Sequence, residues 1–181
     1  MSAQRRPSDG GVTTPQGFVA GAMACGIKPS GKPDLALVAS RTAAAVAGVF
    51  TTNRVKAAPV LLSQQRAASG RARAVIVNSG NANACTGGEG MRAAERMAAA
   101  AARRLDLAAD EVLVLSTGVI GVPLPVEKIE AALPALTPSP AGGDAAARAI
   151  MTTDTRPKTA AVELGIEGAT VRIGGMAKAP A

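Results

Sequence analysis

The chain has 181 residues, enough for one domain with a core of its own. It contains no histidine, which removes the commonest general base and metal ligand, and with it any Ser-His-Asp or Cys-His arrangement. Its net charge of +7 is scattered over positions such as Arg5-Arg6, Lys28, Lys56 and Arg103-Arg104, with no tryptophan or tyrosine to stack on bases, so nucleic acid is not an expected partner. A basic surface facing an acidic chain or acidic small substrates fits better.

Aromatics make up only 1% of the residues, so the core must be built from Ala, Val, Leu, Ile and Met. Cys25 and Cys85 are far apart, which argues against zinc and for two unpaired, buried small side chains. No stretch reaches the ~18 apolar residues of a membrane span, and "MSAQRRPSDG" is not followed by an apolar leader, so no membrane partner and a cytoplasmic location are expected.

Residues 1–12 read as a flexible arm and 13–181 as the domain. A small apolar stretch, 17–27, runs into the Pro/Gly-punctuated loop "GIKPSGKPD". "DLALVAS" (34–40) and "AAVAGVFTTN" (44–53) are strand candidates, and 58–69 turns helix-like. "ARAVIVNSGNANACTG" (72–87) is an apolar strand emptying into a Gly/Asn loop. The clearest helix spans about 90–105, with Arg103 and Arg104 suiting its C-terminal dipole and Asp106 marking its exit. A buried strand (111–121), an amphipathic helix closed by prolines (125–136) and a helix with "MTTD" at its end (142–154) follow. Residues 158–178 read as a hairpin through Glu167-Gly168. Irregular alternation with a hairpin argues a mixed, layered α/β domain rather than a doubly wound parallel sheet.

Three loops could carry chemistry. In "NSGNANACTGG" (78–88) the asparagines are either the wall of a site or a hydrogen-bonded turn. In "STGVIG" (116–121) the Thr117 hydroxyl and the Gly118 N–H sit side by side, as an oxyanion hole requires, or form an ordinary Ser/Thr-Gly turn. "IMTTDTRPK" (150–158) offers Thr152 or Thr153 as a carboxylate binder or nucleophile, the plain alternative being a helix cap. Lys178 is a cation just after a Gly-Gly turn, or simply a surface lysine.

"GFVAGAMACGIKPSGKPDLALVAS", "AGVFTTNRVKAAPV", "AVIVNSGNANACTG", "LVLSTGVIGVPLPVEKI", "ARAIMTTDTRPK" and "IGGMAK" occur in one order from about residue 13 to Lys178. Together they resemble the N-terminal part of the ornithine acetyltransferase (glutamate N-acetyltransferase) family of arginine biosynthesis. The resemblance implies a layered αββα-type sandwich and a precursor that cuts itself into α and β chains, which stay together as a heteromer. A threonine heading the β chain forms an acyl-enzyme with the acetyl group of N-acetylornithine, glutamate then takes it, and some members accept acetyl-CoA. No cofactor is implied. Carried over by motif, Thr117 and Gly118 are the oxyanion hole, and Thr152 and Lys178 are substrate-binding residues.

After "GGMAK" the family pattern continues Gly-x-Gly-Met-Ile toward the cut, whereas this sequence reads Ala179-Pro180-Ala181. A shifted frame is the expectation: in a reverse translation of the family pattern, deleting one G from AAG GGC GCC GGC ATG ATC gives AAG GCG CCG GCA TGA, Lys-Ala-Pro-Ala and a stop. The expectation is a chain with an oxyanion hole and part of a substrate site but no nucleophile, inactive alone. The alternative is a non-catalytic remnant or assembly partner of a separate β chain. If the family fold shares its sheets between chains, strand edges and apolar surface would lie open.

Overall fold

The computed structural model describes residues 4–178, so the tail that carries the frame-shift reading lies outside the described residues. Among the described residues seven strands form two sheets: a three-stranded antiparallel sheet, order β1-β6-β7, and a four-stranded sheet, order β2-β3-β4-β5. The strands are β1 (Gln4–Ser8), β2 (Phe18–Met23), β3 (Leu35–Ala45), β4 (Arg71–Asn81), β5 (Val112–Val119), β6 (Lys158–Ile166) and β7 (Ala169–Ala177). The helices are α1 (Ala58–Ala67), α2 (Gly87–Leu105), α3 (Val126–Ala132) and α4 (Gly143–Ala149). Only β4 and β5 pair in parallel among the described strands. The mixed α/β class expected from the element pattern is therefore what the chain adopts.

β3 explains why its sequence runs apolar instead of alternating. Leu35, Leu37 and Ala39 face one core with α2, while Ala36 and Val38 face a second with Ala146, Ala149 and Ile150 around α4. A strand covered on both faces needs apolar side chains at every position. On α2, Ala93, Ala94, Met97, Ala98 and Ala101 form one buried stripe at helical spacing. Small alanines let that helix lie close to the sheet, which is how a core with two phenylalanines in the whole chain packs. Asp106, at φ 54 and ψ 55, ends the helix in the left-handed conformation.

Several boundaries differ from those expected. The segment 4–8, expected as part of a flexible arm, is strand β1, in register with β6 from Gln4↔Gly165 to Ser8↔Ala161. The second strand candidate, 44–53, is not a strand of its own: β3 continues through a bulge to Ala45, whose partner is Arg71, the first residue of β4. Beyond that pair there is no strand to bond to, and alternation without a partner does not make a strand. The helix expected over 142–154 stops at Ala149. The hairpin is as expected: Ile166 pairs Ala169, and Glu167 and Gly168 both take positive φ, the two-residue turn that matches strand twist.

β5 is an edge strand, yet its first half is not bare. Ser63 Oγ on α1 donates to Val114 O at 2.6 Å and accepts from Val114 N at 2.9 Å, and the Arg66 guanidinium donates to Val112 O at 2.6 Å. Helix side chains thus satisfy the polar groups that a neighbouring strand would take. Farther along, Leu115, Val119, Ile120 and Val122 are exposed, as are Val171 and Ile173 on β7. Among the described residues no helix is long and apolar enough to cross a membrane.

Candidate functional site

The parallel pair β4–β5 ends in a built junction. Ser79 stands opposite Thr117 and Gly80 opposite Gly118, and then Asn81 faces both Thr117 and Val119 across a bulge. Gly118 has φ +137, and a Cβ there would lie 2.2 Å from the Gly80 carbonyl carbon and 2.5 Å from Asn81 N. Two glycine backbones therefore touch where side chains would separate the strands. Thr117 is half-buried and its hydroxyl has no hydrogen-bond partner among the described residues, so it is available to a ligand. Its neighbour Ser116 is committed, donating to Asn78 Oδ1 at 2.6 Å.

The asparagine loop resolves in favour of structure. Asn78, Asn81 and Asn83 are all buried. Asn78 Nδ2 donates to Asn81 O at 2.8 Å, Asn81 Nδ2 to Val122 O at 3.1 Å, and Asn83 Nδ2 to Gly90 O at 2.8 Å. Asn81 Oδ1 accepts from Asn83 N at 2.7 Å. These amides replace the hydrogen bonds that irregular buried backbone would otherwise lack, and so fix the turn beside Thr117. Of the loop, only Gly80 reaches the site.

The second wall follows α4. Met151 and Thr152 leave the helix, and Thr152 N donates to Asp154 Oδ2 at 3.2 Å. The buried Asp154 carboxylate is paired at 2.5 Å with Lys158, so the polar end of "MTTD" is a closed turn, and the expected helix cap is not what it forms. Lys178 follows the end of β7. Thr117, Gly118, Thr152 and Lys178, the four residues expected at the site, all line one open cavity of about 690 Å³. Lys28, Ser30, Gly80 and Thr153 line it as well, and among the described residues none that lines it is acidic. An apolar cavity of about 340 Å³ elsewhere, beside Phe50, Val60 and Leu115, contains none of the four.

Lys28 was missed as a site residue because from sequence it is one of many scattered cations. The loop that carries it is set by Asp34, which is fully buried. Asp34 Oδ1 accepts from Cys25 N at 2.6 Å, and Oδ2 from Ile27 N at 2.6 Å and Lys28 N at 2.8 Å. Burial pushes the Asp34 carboxyl up, but the backbone donors outweigh it and hold it below the usual range. The Cys25 thiol is pushed up to about 12, first by burial and then by its hydrogen bond to the Asp34 carboxylate. The Lys28 ammonium is lowered, by burial first and by Lys32, against an opposing pull from Asp34.

Both cysteines are unpaired, as expected, but neither is fully buried, and Cys85 is exposed at φ 59 in the asparagine loop. Alkylation at pH 8 should therefore modify Cys85 promptly and leave Cys25 largely intact, since the thiolate is the reactive form. Peptide mapping by mass spectrometry checks this; equal labelling of both would contradict the shielding of Cys25. Among the described residues no cluster of three or more His, Cys, Asp or Glu could hold a metal.

The ArgJ family profile matches residues 19–181. The arginine biosynthesis bifunctional protein ArgJ of Symbiobacterium thermophilum is 56% identical over 173 residues, covering 93% of this chain. That of Gloeobacter violaceus is 57% identical over 176 residues, covering 94%. This chain spans only 43% of the length of each of these curated relatives. The crystal structure of the Bacillus halodurans ArgJ protein superposes with a TM-score of 0.95 at 38% identity, over 99% of this chain and 96% of that one. Ornithine acetyltransferase of Mycobacterium tuberculosis, solved in complex with ornithine, superposes at 0.91 with 46% identity, over 98% and 96%. The motifs that meet at the β4–β5 junction, the profile and the superpositions agree: the chain belongs to the ArgJ family.

Proposed function

We propose that this chain is the α-chain part of an enzyme that transfers acetyl from N-acetylornithine to glutamate in arginine biosynthesis. The observation that carries the reading is the convergence of Thr117, Gly118, Thr152 and Lys178 on one cavity that no acidic side chain lines among the described residues. Thr117 and Gly118 donate to the oxyanion that develops on the acetyl carbonyl, where fixed donors act without reorganising. Lys178 and Thr152 hold the carboxylate end of the amino-acid substrate. The attacking threonine and its base come from a β chain. The Thr117 and Thr152 hydroxyls have no base hydrogen-bonded to them among the described residues, which fits roles as donors better than as nucleophiles. That a chain of nearly this extent matches almost the whole of each solved chain, but 43% of the curated relatives, supports division into two chains. The exposed apolar residues along and just beyond β5 and within β7 support a partner chain there. Glutamate, and acetyl-CoA as an alternative acetyl donor, follow from the family resemblance.

The second reading, a chain that assembles without catalysing, shares the same structure and differs in the assay. This chain alone is expected to show no transfer from N-acetylornithine to glutamate. Co-expressed with the C-terminal portion of the Symbiobacterium relative, it should form a complex with measurable transfer. A complex without transfer would favour the assembly reading, and turnover by this chain alone would overturn the division of labour.

A further inference from the structure

We propose that Lys28 is a positioning residue: its ammonium clamps the end of α4 and thereby fixes where Thr152 stands in the cavity. Lys28 Nζ donates to Pro33 O at 2.8 Å, within its own loop, and to Ala149 O at 3.2 Å, the last residue of α4. The Ala149 carbonyl also accepts from Ser79 Oγ on β4. One carbonyl thus joins three parts of the fold: the Asp34-ordered loop, the strand that carries Gly80, and the helix that leads three residues later to Thr152. A cation at a helix C-terminus is also where the helix dipole favours it. The opposite side of the loop is seated by Gly80, whose absent side chain leaves room for Lys28: a Cβ there would lie 3.0 Å from Ile27 Cγ2 and 3.2 Å from Lys28 Cγ. Gly80 in turn backs Gly118. The loop, the Gly80–Gly118 contact and Thr152 therefore share one chain of contacts, in which Ser79 ties the strand, and Lys28 the Asp34-ordered loop, to the end of α4. The Lys28 bond joins 28 directly to 149, a contact across 121 positions of the sequence.

The clamp itself does not depend on the acetyl-transfer reading; only its consequence for substrate does. Amide hydrogen exchange on the free chain tests it. In Lys28→Met the amides of residues 150–154 should exchange faster, roughly tenfold, the equivalent of one lost hydrogen bond to a charged group, while those of α2 around Met97 stay as in wild type. Lys28→Arg, which keeps the charge and several donors, should restore slow exchange at 150–154. Lys28→Gln, the gentler change, should reproduce the local pattern of the methionine variant and serves if that variant does not fold. Unchanged exchange at 150–154, or acceleration spread evenly over the chain in both uncharged variants, would overturn the proposal. A parallel titration with ornithine, followed at the Thr152 and Thr153 amides, should show weaker binding in Lys28→Met and recovery in Lys28→Arg. If the wild type shows no ornithine response while the exchange pattern holds, the clamp stands and the substrate assignment falls.

Discussion

Replacing Gly118 with alanine should unfold the β4–β5 junction and abolish the transfer proposed for the complex with a β chain, whereas replacing Thr117 with alanine should affect only that proposed catalysis. The Gly118 Cβ would meet backbone atoms of Gly80 and Asn81 at 2.2–2.6 Å, and backbone cannot step aside as the tip of a side chain can. The φ of +137 adds strain for any residue with a Cβ. Strain and overpacking together should cost about 2–5 kcal/mol. Gly165→Ala is the control, since a Cβ there meets nothing within 4 Å and its φ is not in the glycine-favoured region. Urea unfolding should show a much lower midpoint for Gly118→Ala than for Gly165→Ala; coincident midpoints would refute the close approach. Thr117→Ala removes a hydroxyl that has no partner among the described residues, so its midpoint should stay near wild type. On the proposed role of Thr117 as an oxyanion donor, kcat in the proposed complex with a β chain should fall by ~10²–10³, the usual effect of losing one such donor.

This contrast also shows what could be read from the sequence. "STG" at the end of an apolar run sets a hydroxyl beside a glycine N–H, and the expected turn is instead the end of β5; whether it is a site depends on what stands opposite. Gly80 stands opposite Gly118, and that pairing is a matter of strand register between residues 38 positions apart, which local pattern does not encode. The helices and the hairpin were legible because their signals are local: the apolar spacing of α2, Asp106 at its exit, and Glu167-Gly168 in the turn. The extent of β3 was not, because it is limited by where β4 begins. The asparagines look the same whether they bind a ligand or the backbone, and only burial separates the two cases. Lys28 and Asp34 were hidden for the same reason. A lysine holding the carbonyl of Ala149 is, in sequence, one cation among 20 Lys and Arg.

Asp34 gives the largest expected change that begins outside the cavity. Its side chain has no exposure and both oxygens are used by N–H groups of the turn at Cys25–Lys28, while its own carbonyl accepts from Ser79 N at 2.8 Å. Asp34→Asn keeps the shape but turns one acceptor into a donor, which leaves at least one buried N–H facing another donor. At neutral pH the variant should lose about 2–4 kcal/mol of stability, because hydrogen bonds to a charged group are replaced by an unsatisfied donor. The pH dependence has a definite sign. The folded carboxyl lies below its ordinary value, so the folded state binds this proton less readily than the unfolded chain. The contribution is therefore complete above the ordinary carboxylate range and is lost as pH falls through the folded value. The gap between wild type and Asp34→Asn in urea midpoint should be constant from pH 8 to about 5 and narrow below about 4. A gap that does not change with pH would show that the side chain acts by shape alone. The same substitution should make Cys25 more reactive to alkylation, since the carboxylate that helps hold its thiol protonated is gone. Loss of order in the turn should also loosen Lys28 and, through Ala149, residues 150–154, so the local acceleration of amide exchange expected for Lys28→Met should recur in Asp34→Asn with the lysine intact.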